Sequence, residues 1–208
     1  MKVLKPVAFL LCLGPVSWLI WAIFNDALSA NPIDDITDLT GRWTLRFLLI
    51  TLSVSPIRHL TGWNRAIRFR LMFGLFAFFY GLLHFTTYLA LDRGFRFSEI
   101  GTDIGKRPYI TVGFTGFVLM LPLAMTSTKK WIGRLGGRRW QLLHRAIYVS
   151  AIAGVIHYLW LVKLDIKYPI RYGVLLSVLL GFRLWDAIRR RRRNAAALPL
   201  VTGSGSKI

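Results

Sequence analysis

Cysteine is almost missing from this chain: Cys12 is the only one in 208 residues. That excludes an intrachain disulfide, a cysteine-held zinc or iron–sulfur site and a C-x-x-C-H attachment for c-type haem. Acids are scarce too, nine Asp and Glu against 28 Lys and Arg. Charged residues make up only 18%, where a soluble domain carries about 25%. No convincing A-x-A-like cleavage site follows the first apolar run, which is read as a retained helix. No internal repeat, no soluble domain and no embedded Ser–His pair in a Gly-rich setting is present, which argues against an intramembrane protease.

What the chain does have is apolar length. Apolar residues make up 54%, mean hydropathy is +0.48, and the formal net charge is +19. A nucleic-acid binder of this charge needs no long apolar runs, and a disordered basic segment has few of them. The composition fits an integral membrane protein with its bases sorted to one side.

A spanning helix takes about 20 mostly apolar residues. Six runs meet or approach that length, at 6–24, 44–57, 71–91, 109–126, 140–161 and 170–185. The second is the weakest, with Arg46 near its start and Pro56 near its end. Pro15 and Pro122 fall inside the first and fourth, where kinks are expected and neighbours must satisfy the freed backbone. If the six runs alternate across the membrane, one side collects 19 bases and one acid, the other nine bases and eight acids. The positive-inside rule then places both termini in the cytoplasm. The expectation is an all-α, integral membrane six-helix bundle. The arginine run 189–193 reads as a topology anchor touching lipid headgroups rather than a nucleic-acid site.

Three of the four histidines lie inside these runs. Ionisable groups in a bilayer are costly and point to function. His84 is about 20 Å along the third helix and His157 about 25 Å along the fifth, counted from the same side. The two therefore sit at comparable height, while His144 lies only about 6 Å into the fifth helix. His59 falls in a loop among arginines. Two neutral imidazoles facing each other across a bundle suit axial ligation of a haem. A histidine-based metal-ion transporter and plain interhelical hydrogen bonds are the competing readings.

Longer stretches extend this reading. Residues 31–41 (NPIDDITDLTG), the 70–88 helix with Leu-Leu-His84, Arg107-Pro108-Tyr109 leading to residues 122–127 (PLAMTS), and Trp140-Gln-Leu-Leu-His144 followed by His157-Tyr-Leu-Trp160 occur in order. With these motifs the chain resembles the MsrQ family. These are haem-binding membrane subunits of the bacterial protein-methionine-sulfoxide reductase system, within the ferric-reductase-like transmembrane group. The resemblance covers nearly all of the chain except its tail. It implies a transmembrane haem-binding domain at 1–188 and a basic flexible tail at 189–208. It implies b-type haem (iron held by His84 and His157) and FMN in a non-catalytic redox subunit of the bacterial inner membrane. Electrons would come from the quinone pool or a cytosolic flavin reductase. They would go to a periplasmic molybdenum-containing partner, MsrP, for repair of methionine sulfoxide in envelope proteins.

The chain departs from the wider group in one respect. Relatives with two haems carry a second histidine on the third helix, where Arg70 and Leu71 stand here. The soluble nicotinamide- and flavin-binding domain of those relatives has no counterpart in these residues. On one continuous helix, His144 and His157 would lie about 140° apart around the axis. Unequal sites are therefore expected: one firm bis-histidine haem, and a weaker redox site beside His144 for a labile haem, a flavin or a quinol. Arg70, Arg138, Arg139 and Arg145 are expected around that site's mouth, either meeting an FMN phosphate or simply holding topology. Asp34, Asp35 and Asp38 form the densest acid cluster. They read either as acids in the first turn of a helix or as a docking patch for a basic partner surface.

Overall fold

The computed structural model describes residues 3–162 and 164–197. Lys2, Lys163 and Lys207, which enter the charge reading, and the rest of the tail from 198 onward lie outside the described residues. Every regular element among the described residues is helical. In order these are α1 (Leu4–Phe24), α2 (Pro32–Thr61), α3 (Ile67–Thr87), α4 (Phe97–Lys106), α5 (Pro108–Met125), α6 (Lys129–Leu143), α7 (Ala146–Leu161) and α8 (Lys167–Ala197). A 3₁₀ turn, Asn64–Ala66, leads into α3, and a π turn, Tyr88–Asp92, extends it.

Three elements are long and apolar enough to cross a membrane: α1, the rod Asn64–Asp92 built around α3, and α5. The pair α6 and α7, bent by 40° where they meet, makes a fourth when taken together. The chain is thus an all-helical membrane protein; among the described residues three to four helical stretches qualify as spans by length and composition, where the apolar runs numbered six. The difference lies in α2 and α8, 30 and 31 residues long. Arg46 and Arg58 dilute the apolar stretch of α2, and Arg171 and Arg183 that of α8.

One expectation about local structure changes. The fifth run is not one helix: the chain leaves α6 at His144 and restarts at Ala146, so the turn at His144–Arg145 breaks the continuous helix on which His144 and His157 would lie about 140° apart. A second irregularity sits inside α6, where Gly136 has φ +72°. Asp34 and Asp35 stand in the first turn of a helix, the first of the two readings of the acid cluster. Pro32, with φ preset for the first helical position, starts α2 there. The arginine run 189–193 continues α8 without a break.

The core lies between α2 and α3. Leu48, Leu52, Ala77 and Tyr80 are almost completely buried there, and Phe47 stacks between Tyr80 (5.4 Å) and Phe76 (5.6 Å). Helices α5 and α7 approach through small residues: a Cβ on Gly116 would meet that of Ala153 at 3.2 Å. Close backbone approach is how helices gain contact in lipid, where apolar transfer offers little.

Side chains from other helices repair two proline kinks. Pro15 interrupts α1, and at the neighbouring rung the Tyr80 hydroxyl of α3 accepts from Val16 N–H (3.2 Å) and donates to the Cys12 carbonyl (2.9 Å). Pro56 in α2 has no N–H for the Leu52 carbonyl, and Arg183 of α8 supplies one at 2.9 Å. The same guanidinium donates to the Tyr148 hydroxyl of α7 at 2.7 Å. Arg183 therefore ties three helices together, beyond its role as a topology charge.

Candidate functional site

His84 and His157 come together. His84 ends the last turns of α3, and His157 stands near the end of α7. Their ring centres are 6.1 Å apart with planes at 79°. Two metal–nitrogen bonds of about 2 Å each plus two half-rings amount to about 6 Å, so the spacing suits one metal between two axial imidazoles.

The backbone of neighbouring helices sets each ring. His84 Nδ1 lies 2.9 Å from the Thr37 carbonyl of α2, and His157 Nδ1 lies 2.7 Å from the Tyr109 carbonyl of α5. A carbonyl only accepts, so each Nδ1 carries the proton and each Nε2 keeps its lone pair. Neither Nε2 has a hydrogen-bond partner among the described residues. This is the second contact that orients a metal-ligating histidine, here made with peptide oxygens.

Two glycines give these rings their space. A Cβ at Gly41 of α2 would stand 3.0 Å from His84, and one at Gly113 of α5 would stand 2.6 Å from His157 Nδ1. At Gly113 any side chain collides with the imidazole. Sequence reasoning did not single out Gly113, and no side-chain signal marks it. Thr37, Gly41 and Tyr109 lie within the stretches that carried the family resemblance, but their contribution is through backbone atoms.

The opposite end of the bundle is built differently. The start of α3, the end of α5, the end of α6 and the start of α7 enclose a cavity of about 240 Å³. Its lining is mostly apolar, with Arg70, Trp140 and His144 among its walls. His144 stacks on Trp140 at 3.8 Å between ring centres, and its Nδ1 bonds the Trp140 carbonyl one turn back. The His144 Nε2 is buried without a hydrogen-bond partner. Trp140 is itself fixed by donating to the Thr126 carbonyl at 2.9 Å. Arg138, Arg139 and Arg145 are exposed and stand outside the cavity lining, so of the four arginines expected at its mouth only Arg70 is there.

The acid cluster is engaged locally. Asp34 accepts from Asn31 at 2.6 Å, Asp35 from the Ser29 amide, and Asp38 pairs with Arg42. The Ser29 contact holds the Asp35 carboxyl below the usual carboxylate range. Among the described residues, no three His, Cys, Asp or Glu side chains converge as a metal-ion site would require.

Comparison with known proteins places this geometry. Residues 40–155 match the family described as ferric reductase like transmembrane component. A protein of Herminiimonas arsenicoxydans is 48% identical over 198 residues, covering 94% of this chain and 91% of its own. One of Azospira oryzae is 51% identical over 190 residues, covering 91% and 82%. Both are named protein-methionine-sulfoxide reductase heme-binding subunit MsrQ. The chain belongs to the MsrQ family. In this MsrQ family member, the matched region spans His84, both glycines and His144, and ends two residues before His157.

Proposed function

We propose that this MsrQ family member is a transmembrane electron-transfer subunit that holds b-type haem between His84 and His157. The observation that carries the reading is the pair itself: two imidazoles 6.1 Å apart, both with Nδ1 committed to a carbonyl and Nε2 left for a ligand. Gly41 and Gly113 supply the room the rings need. When bound, haem would supply reversible one-electron iron chemistry. The chain's own part is to hold two neutral, oriented imidazoles among packed helices, with peptide carbonyls fixing their tautomers.

In this reading six segments cross the bacterial inner membrane, with both termini in the cytoplasm. The +19 balance, with its bases gathered at one set of helix ends, supports that topology. The His84–His157 end then faces the periplasm. The relatives' names support a methionine-sulfoxide reductase catalytic subunit as acceptor, and the family resemblance favours the molybdenum-containing MsrP. The donor is the quinone pool or a cytosolic flavin reductase. The cavity at His144 is the second redox site: its buried, unpartnered Nε2 and the adjacent Arg70 suit a redox group on the donor side. Asp34, Asp35 and Asp38 remain a docking patch for a basic partner surface.

Absorption spectra of the purified protein, oxidised and dithionite-reduced, test the central assignment. A low-spin haem spectrum is expected, lost in His84→Ala and in His157→Ala but retained in Leu82→Ala. An unchanged low-spin spectrum in both histidine variants would exclude this pair.

A further inference from the structure

The end of α8 and the last turns of α2 form a cleft of about 550 Å³ that shares no lining residue with the cavity at His144. Its lining is His59, Asp186, Arg189, Arg190, Arg193 and Asn194. Within it, Arg190 is already committed. Its Nε pairs with Asp186 at 3.0 Å, and its Nη2 donates to His59 Nε2 at 3.0 Å. That fork bridges α2 to α8 and neutralises the only carboxylate in the cleft. Arg189 lies over the Trp185 ring at 5.3 Å. Neither Arg189 nor Arg193 has a carboxylate partner among the described residues.

We propose that this cleft is a binding site for a phosphate ester. The lining leaves two guanidiniums unneutralised on the walls, with the amide of Asn194 beside them. Planar guanidiniums match phosphate oxygens in paired, charge-assisted hydrogen bonds, which a diffuse basic surface does not provide. The Asp186–Arg190–His59 bridge makes the cleft a formed concavity rather than a run of loose side chains. The ligand is recognised by its phosphate alone, so an acidic phospholipid headgroup and a soluble phosphate ester are its two sources.

The test uses the full chain in nanodiscs, with Arg189→Gln and Arg193→Gln compared against Arg191→Gln and Arg192→Gln. The last two arginines belong to the same run but do not line the cleft. In one arm, discs of phosphatidylcholine with phosphatidylglycerol are analysed by native mass spectrometry for lipid retained per chain. In the other, pyrophosphate is titrated calorimetrically into pure phosphatidylcholine discs. Retention of phosphatidylglycerol that falls several-fold in the first pair of variants only identifies the headgroup as source. Pyrophosphate binding with the same variant pattern identifies a soluble phosphate compound as the source. Equal losses in all four variants, or no binding in either arm, overturns the site in favour of undirected charge. Circular dichroism of each variant verifies that helix content is unchanged.

Discussion

The two ends of the bundle treat histidine in opposite ways. At one end, the backbone of α2 and α5 grips the rings of His84 and His157, through contacts 47 and 48 residues apart in sequence. At the other, His144 bonds a carbonyl only four residues away and leans on Trp140 beside a cavity of about 240 Å³. Long-range contacts fix a ring only after the whole bundle has formed, and they leave no slack. A local contact moves with its own turn, and the turn at His144–Arg145 sits between two helices bent by 40°. The first end holds its rings in one geometry, and the second leaves its ring beside open volume.

The sharpest way to break this contrast is to add one methyl group at each end. Gly113→Ala places a Cβ 2.6 Å from His157 Nδ1, so the ring must leave its carbonyl. Overpacking of this kind costs about 1–3 kcal/mol, and near-complete loss of the low-spin haem spectrum is expected. Gly74→Ala, on the cavity wall at the other end, meets only Thr51 Cγ2 at 3.7 Å, and a spectrum within error of wild type is expected. Equal damage from both would show that the ends are equally tight.

A second perturbation probes what holds the second end. Arg183→Leu removes the donor to the Leu52 carbonyl and the bond to Tyr148. An unsatisfied buried carbonyl costs about 1–3 kcal/mol. Thermal melting should drop, while the His84–His157 spectrum in the surviving folded protein stays unchanged. A shifted spectrum would mean that the two ends are mechanically coupled.

His144→Ala leaves both clamped rings untouched. The main haem spectrum should persist, while reduction from the donor side slows, as followed by stopped-flow absorbance. Wild-type kinetics would remove His144 from the electron path.

The smallest effect is expected at the α2 start. The Ser29 amide lowers the Asp35 carboxyl, so its stabilisation is present above the unfolded carboxylate value, about 4. It is lost as pH falls through the lower folded value. The melting difference between wild type and Asp35→Asn should shrink on acidification from pH 7 to pH 3. A constant difference would show that this contact contributes nothing.

The apolar runs already marked the helices, because lipid demands long stretches that satisfy their own backbone. The residues of the His84–His157 pair were legible by counting rise along two helices. Hydropathy shows only apolar residues, so the polar first third of α2 was marked only by one of two readings of its acids, and that it carries Thr37 and Gly41 to His84 stayed hidden. The break at His144 was invisible because the residues around it are good helix formers. Gly113 gave no signal, since an absent side chain acquires meaning only when its neighbour is placed. Arg183 looked like one more topology charge until Pro56, 127 positions earlier in sequence, proved to need its donor.

The Tyr80 hydroxyl seated in the α1 rung also bears on the order of membrane insertion. A chain made from its N-terminal end delivers α1 to the lipid with the Leu11 carbonyl deprived of a donor by Pro15, and the hydroxyl that seats at the adjoining rung arrives 64 residues later. Until α3 enters, α1 gains by staying near water or near the insertion machinery, which favours late docking. Restoring a continuous ladder with Pro15→Ala would release α1 from that dependence, and loss of the hydroxyl in Tyr80→Phe would then matter less than it does in the parent chain.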